Sequence, residues 1–306
     1  MNKAIVLLLL VMTMLFWAIN FYVVKIAMDY YSPVGVATWR FLFGALSLCP
    51  VLFVQYRKSP KKFNFTGKDW LYMAITSFLG IFLTIYFFNL GLKTTTAVNG
   101  SLIIATSPTI TGVFSYFLLK KQLGPYQWLA ILISFFGVAL ILAKGELATI
   151  VQLNFALGDV YILCMAVVFS LSQIVVNKFL QHIDAIVMTT ITSIMALFLF
   201  ALFSSPELLA VNLPTSVEFW SSIFFMGILG TGVAYSAFYF SVVKVGATTA
   251  TLYMNLIPFF TVLLSYPFGE PLYVVQLIGG LIIILGLILY GVSSKKLTKK
   301  KLPSPF

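Results

Sequence analysis

The 306-residue chain is 61% hydrophobic and 9% charged, with a mean hydropathy of +1.04, whereas soluble domains run at about 45–50% apolar and about 25% charged. Ten membrane helices of about 20 residues each would consume most of this length, which leaves no room for a soluble enzyme, a nucleic-acid-binding domain or a folded ectodomain. The net charge of +11 does not point to nucleic acid either, because the lysines sit at the ends of apolar runs, where they set membrane topology.

In chain order, apolar runs bounded by charge clusters, Gly, Pro or Asp predict spans at 4–26, 33–55, 70–92, 97–119 and 126–143. Five more follow at 158–180, 185–203, 219–243, 248–268 and 273–292. None shows the period-two alternation of an outer-membrane barrel strand. Lys3 before an apolar stretch resembles the start of a secretory signal, but the run continues to Ala27 without a small-x-small cleavage site. It therefore reads as a mature helix. With the N-terminus inside, Lys3, Arg57, Lys58, Lys61, Lys62, Lys68, Lys120, Lys121, Lys178, Lys244 and the tail lysines Lys295, Lys296, Lys299, Lys300 and Lys301 all face the cytoplasm. Only Lys25, Lys93 and Lys144 fall outside, with Arg40 inside a span. This bias predicts a multi-pass plasma-membrane protein with both termini cytoplasmic.

Sliding the chain against itself aligns Ala97 with Ala247, Leu102 with Leu252, Pro108 with Pro258, Thr111 with Thr261, Ser115 with Ser265 and Tyr116 with Tyr266. A slightly larger offset places Lys25 on Lys178 and Asn20 on Gln173. Five spans per half, an odd number, make the second half enter the membrane from the opposite side. The expected fold is an all-α integral membrane protein of ten transmembrane helices in two inverted five-helix repeats, 1–143 and 156–292, followed by a basic cytoplasmic tail, 293–306.

The residues also resemble a known family, the EamA-type branch of the drug/metabolite transporter superfamily. The likeness lies in Phe16-Trp17-Ala18-Ile19-Asn20-Phe21 with Lys25, in Trp39-Arg40-Phe41, in the approaches to Pro108 and Pro258, and in Gly269-Glu270-Pro271 with Gly279 to Gly286. It implies a ten-helix transporter of small metabolites or drugs in a bacterial inner membrane, in many cases an exporter.

Polar residues within spans are costly, so their spacing marks the inward faces. Thr13, Trp17 and Asn20 share one face of the first helix; Ser170, Gln173 and Asn177 share the matching face of the sixth. Asn99 and Thr106, Tyr86 and Asn89, Tyr235 and Tyr239, and Thr248, Thr251 and Asn255 with Pro258 form further stripes. These predict a central cavity of amide, hydroxyl and aromatic groups, against the alternative that the same groups only bond helix to helix. Pro108 and Pro258 remove backbone donors in mid-span and are candidate hinges or packing kinks. Arg40 is the candidate anion contact, the alternatives being a snorkel to the outer surface or an ion pair with Asp159.

No catalytic constellation is evident. His182 stands alone in a short connection, Gly158-Asp159 has no second intramembrane aspartate, and Cys49 and Cys164 lack metal-ligand spacing. The sequence therefore predicts no enzyme activity, no metal and no cofactor. It predicts a secondary transporter, exporter or exchanger, of a small metabolite such as an amino acid, working by alternating access in the lipid bilayer. A flippase for a lipid-linked substrate is the alternative, and a membrane-embedded enzyme a remote one.

Overall fold

The computed structural model describes residues 3–58, 63–120, 124–142, 156–204, 214–270 and 273–301. Lys61, Lys62, Lys121, Lys144, Pro271 and the last residues of the tail lie outside them, as does the side chain of Thr248. Among the described residues the structure is all-helical and forms ten rods. We number them α1 (Lys3–Met28), α2 (Pro33–Lys58), α3 (Gly67–Leu92), α4 (Ala97–Leu119) and α5 (Pro125–Leu142). The second half contributes α6 (Leu157–Phe179), α7 (Ala185–Phe203), α8 (Val217–Val245), α9 (247–265) and α10 (Val274–Lys301). Seven are long and apolar enough to cross a membrane: α1 to α4 and α6 to α8. Tyr253–Ser265 and Val274–Gly286 are shorter apolar helices. Helix α10 runs through 293–301, so the start of the basic tail is helical.

The helix ends explain why the rods begin where they do. Thr66 and Asp69 form a reciprocal capping box at α3, in which Thr66 N–H donates to Asp69 Oδ2 (2.8 Å) and Asp69 N–H to Thr66 Oγ1 (3.2 Å). Thr96 accepts from Asn99 N–H at α4, Asp184 from Ile186 N–H at α7, and Ser216 from Glu218 and Phe219 N–H at α8.

Three departures from simple rods matter for the site. Residues Phe78–Leu83 of α3 and Phe225–Val233 of α8 are π-helical, a distortion that re-registers the backbone ladder and is frequent at functional sites. Helix α4 does not bend at Pro108. It breaks into Ala97–Ile104 and Ser107–Leu119, with Pro108 in the first turn of the second piece, where its missing N–H is an orphan position in any case. Helix α9 breaks equivalently, at a 3-10 turn Tyr253–Asn255 ahead of Leu256–Ser265, which carries Pro258. The two prolines thus start helical pieces, where the sequence suggested interior kinks.

Packing repeats between the halves. Helix α1 packs on α8 and α9, as α6 packs on α3 and α4; α2 packs on α8 as α7 does on α3; α2 pairs with α7 and α5 with α10. Replacing each helix by the one five places on converts this set of contacts into itself. The closest crossings use glycine. A Cβ on Gly227 would lie 2.9 Å from the Arg40 carbonyl oxygen and 3.1 Å from Gly44 N, backbone atoms that cannot step aside. We expect Gly227→Ala to cost about 1–3 kcal/mol through overpacking, read as a lower unfolding temperature in detergent. Gly67→Ala, with nothing within 4 Å, should stay within about 0.5 kcal/mol of the parent.

Candidate functional site

Helix α1 carries Trp17, Asn20 and Phe21 on one face, and the π segment of α8 receives them. Trp17 Nε1 donates to the Gly230 carbonyl at 3.2 Å, and Arg40 Nη2 from α2 reaches the same oxygen at 3.4 Å. Arg40 Nε donates to Thr231 Oγ1 at 2.9 Å. The absence of a side chain at Gly230 makes the approach feasible, since a Cβ there would lie 2.5 Å from Asn20 Nδ2 and 2.7 Å from its Oδ1. Arg40 is only 2% exposed, so it does not snorkel to a surface. Nor does it pair with Asp159, whose Oδ1 accepts from the Thr95 hydroxyl instead. The ion pairs among the described residues are Lys25–Glu270 and His182–Asp69; Arg40 is in neither, and its Nη1 has no hydrogen-bond partner.

These groups open onto a cavity between the two halves. Its polar lining is Trp17, Asn20, Arg40 and Tyr235, and its apolar walls include Phe21, Ile85, Phe88, Ile104, Met165 and Ile257. The aromatic wall is interlocked: Trp17 stands edge-on to Phe169 (6.0 Å) and Tyr235 (5.4 Å), and Phe21 edge-on to Phe88 (4.9 Å). Asn20 Oδ1 is buried without a hydrogen-bond partner, like Arg40 Nη1. One unsatisfied acceptor and one unsatisfied cationic donor therefore stand in an otherwise apolar enclosure with no carboxylate in its lining. The space open to water centres is about 40 Å³, enough for roughly three waters, so an organic solute enters only if the helices move.

The other sequence candidates divide. Tyr239 is fully buried with its ring 5.8 Å from Tyr235, and its hydroxyl has no partner. Gln173 is buried, with Nε2 donating to Ser172 Oγ at 3.0 Å and Oε1 unpartnered. Both lie by the π segment of α3, where a Cβ on Gly80 would sit 2.5 Å from Ser172 Oγ and 3.6 Å from Tyr239 Oη. Gly80 against α6 is the counterpart of Gly230 against α1. Asn255 is half-buried with Oδ1 unpartnered. Asn89 and Asn99 act as helix ties: Asn89 Nδ2 donates to the Pro33 carbonyl (2.7 Å), and Asn99 Oδ1 accepts from Gln276 Nε2 (2.8 Å). Asn99 also lines a separate recess of about 310 Å³ with Thr94, Thr95, Thr96 and Asp159. Tyr86 is half-buried and stacks on Phe82, which faces Phe200 of α7. Asn177 is half-buried, and its carbonyl accepts from Gln181. His182, solitary in the sequence, pairs with Asp69 at 3.0 Å. Sequence reasoning missed Gly230 and Thr231; the available signal was a hydroxyl set among Gly227, Gly230 and Gly232 inside an apolar run.

The EamA-like transporter family matches the chain twice, over residues 4–143 and 156–292. Among curated proteins, the chain is 30% identical over 278 residues to the "Uncharacterized transporter YyaM" of Bacillus subtilis, covering 90% of this chain and 89% of that protein. It is 28% identical over 283 residues to an "Uncharacterized transporter" of Archaeoglobus fulgidus, covering 92% and 96% respectively. A solved structure titled "Crystal structure of protein" superposes with a TM-score of 0.66 over 97% of this chain and 99% of that one. At 16% identity that likeness speaks to the fold alone.

The Arg40–Thr231 bond generates a direct expectation. Thr231→Val leaves a buried guanidinium N–H without its acceptor, which costs about 1–3 kcal/mol, whereas Thr231→Ser keeps the oxygen. Thermal unfolding in detergent should place the serine variant near the parent and the valine variant well below it.

Proposed function

The chain belongs to the EamA-like transporter family and is a multi-pass membrane transporter; from that premise we propose a secondary transporter, exporter or exchanger, of a small metabolite bearing an acidic group, such as an amino acid. The observation that carries this reading is the buried Arg40, held by Thr231 and Gly230, with its Nη1 unpartnered at an otherwise apolar cavity between the halves. A buried cation without a counter-charge is expensive. A solute carboxylate relieves that cost, and guanidinium geometry suits it. Asn20 Oδ1 offers an acceptor for a donor on the same solute, and the aromatic wall of Trp17, Phe21, Phe88 and Tyr235 accepts its apolar body.

The two halves act as inverted repeats of five spans each, rocking around the cavity so that it faces one side and then the other. Support comes from the self-exchanging contact pattern, from the π segments at Gly80 and Gly230, and from the helix breaks ahead of Pro108 and Pro258, which serve as hinges. We place the protein in a bacterial inner membrane, with both termini cytoplasmic, an orientation the lysine distribution supports. A protease-sensitive tag at either terminus should accordingly be cut in inside-out vesicles and protected in right-side-out ones.

The test of the site is transport in proteoliposomes. Arg40→Ala should lower uptake of acidic or zwitterionic solutes by about 10- to 100-fold, with a monodisperse, folded protein, and Arg40→Lys should restore part of it. Unchanged uptake in Arg40→Ala would assign the guanidinium to packing against α8 alone.

A further inference from the structure

One end of the cavity is tied across the halves by contacts that the proposed transport site does not use. Glu270, in the turn after α9, accepts from Lys25 Nζ at the end of α1 (2.5 Å). The same carboxylate accepts from Ala97 N–H (2.9 and 3.1 Å) and Val98 N–H (3.4 Å). These are orphan donors at the start of α4, where a negative charge is favoured. One turn back along α1, Tyr22 donates its hydroxyl to the Thr261 carbonyl (2.7 Å) and stacks on Phe268 (4.4 Å, 12°). The chain aims Glu270 through a tight turn: Gly269 has φ +69°, Gly269 N–H donates to the Tyr266 carbonyl, and Glu270 N–H donates to the Ser265 carbonyl. Phe21 of the cavity wall lies about 6 Å along α1 from Lys25, at 1.5 Å per residue. The ties therefore sit about one helical turn beyond that wall, toward the Lys25 end of α1.

The other half closes its helix with an equivalent backbone hydrogen bond and lacks the chemistry. Lys120 occupies the place of Glu270: its N–H donates to the carbonyl of Ser115, the counterpart of Ser265, and the positive φ falls on Lys120 itself (+52°) where the second half has it one residue earlier, at Gly269. Lys178 is the counterpart of Lys25, Val175 of Tyr22, and Leu118 of Phe268. Two lysines replace an ion pair, and valine and leucine replace a stacked, hydroxyl-anchored tyrosine. Lys178 is exposed and lies over the Phe179 ring at 5.0 Å; it is in no ion pair among the described residues.

We propose that Glu270, Lys25 and Tyr22 form a one-sided latch that holds shut the mouth at the Lys25 end, and that the protein therefore rests with the opposite mouth, at Lys120 and Lys178, as the one free to open. Conformations related by exchanging the two halves would be equal in energy if the halves were identical. The latch is present in only one of them, so it tilts the equilibrium by its own free energy. Opening the Lys25 end then requires something to compensate for the lost contacts. This rests on the cavity being the alternating-access site.

The experiment places a single reporter, Ile104→Cys, in the cavity wall of a Cys49→Ser/Cys164→Ser background, and times its reaction with a membrane-impermeant maleimide in right-side-out and inside-out vesicles. The parent should react faster from the Lys120 face. Glu270→Gln should raise the rate from the Lys25 face by about tenfold. Lys120→Glu, which puts a carboxylate at the position equivalent to Glu270, should slow reaction from its own face. A Lys25-face rate unchanged by Glu270→Gln overturns the latch while leaving the transport reading intact. If that variant does not fold, Lys120→Glu decides alone: slowing supports the latch, and an unaltered rate overturns it. Labelling from neither face in any variant removes the cavity as an access site, and the latch with it.

Discussion

In hydrocarbon no water is available to satisfy a polar group, so each buried donor or acceptor must find its partner within the protein. The centre of this molecule is organised by that constraint. The Gly230 carbonyl takes both Trp17 Nε1 and Arg40 Nη2, and Thr231 takes Arg40 Nε. These three bonds join α1, α2 and α8 at one point. They also fix the guanidinium so that one nitrogen remains unspent. Within a membrane that leftover donor, with Asn20 Oδ1 beside the same cavity, is the polar chemistry most available to a visiting solute.

The π segments make this arrangement possible. A regular helix through Phe225–Val233 would keep the 3.6-residue register, and Gly230 and Thr231 would point elsewhere; the wider turn presents a carbonyl and a hydroxyl to the neighbouring helices. The same device at Phe78–Leu83 brings Gly80 against Ser172. The duplication is therefore visible in backbone distortion as well as in helix pairing. The chemistry at the two places has diverged, since the cation belongs to the first half and the second carries Thr192 at the corresponding position.

Divergence at the ends of the helices has a different consequence. The core is largely apolar, and its helix pairings recur between the halves. The charges at the mouths are not interchangeable. Glu270 neutralises Lys25 and caps α4 on one side, while Lys120 and Lys178 share a sign on the other. The proposed solute contacts and the proposed latch thus use separate residue sets about a turn or two apart, so one can vary without rewriting the other.

The sequence by itself determined that the chain lives in a membrane, where most of its helices begin and end within a few residues, α10 running nine residues past its expected end, and that its halves are related. Apolar run length, the charge clusters, Gly, Pro and Asp that bound the runs, and lysine placement are local quantities that need no partner to be read. It also marked Arg40, Trp17, Asn20 and Tyr235, because polar residues inside spans are rare. The sequence did not separate them from Asn89 and Asn99, which tie helices together. Spacing gives the face of a helix but not which helix that face meets. Only the tertiary structure decided that Arg40 meets Thr231 and not Asp159, that His182 meets Asp69, that Lys25 meets Glu270, and that Pro108 and Pro258 begin helical pieces. Each of those outcomes depends on the rotation and depth of two distant segments, a relation that apolar packing fixes in space and that no window of sequence contains.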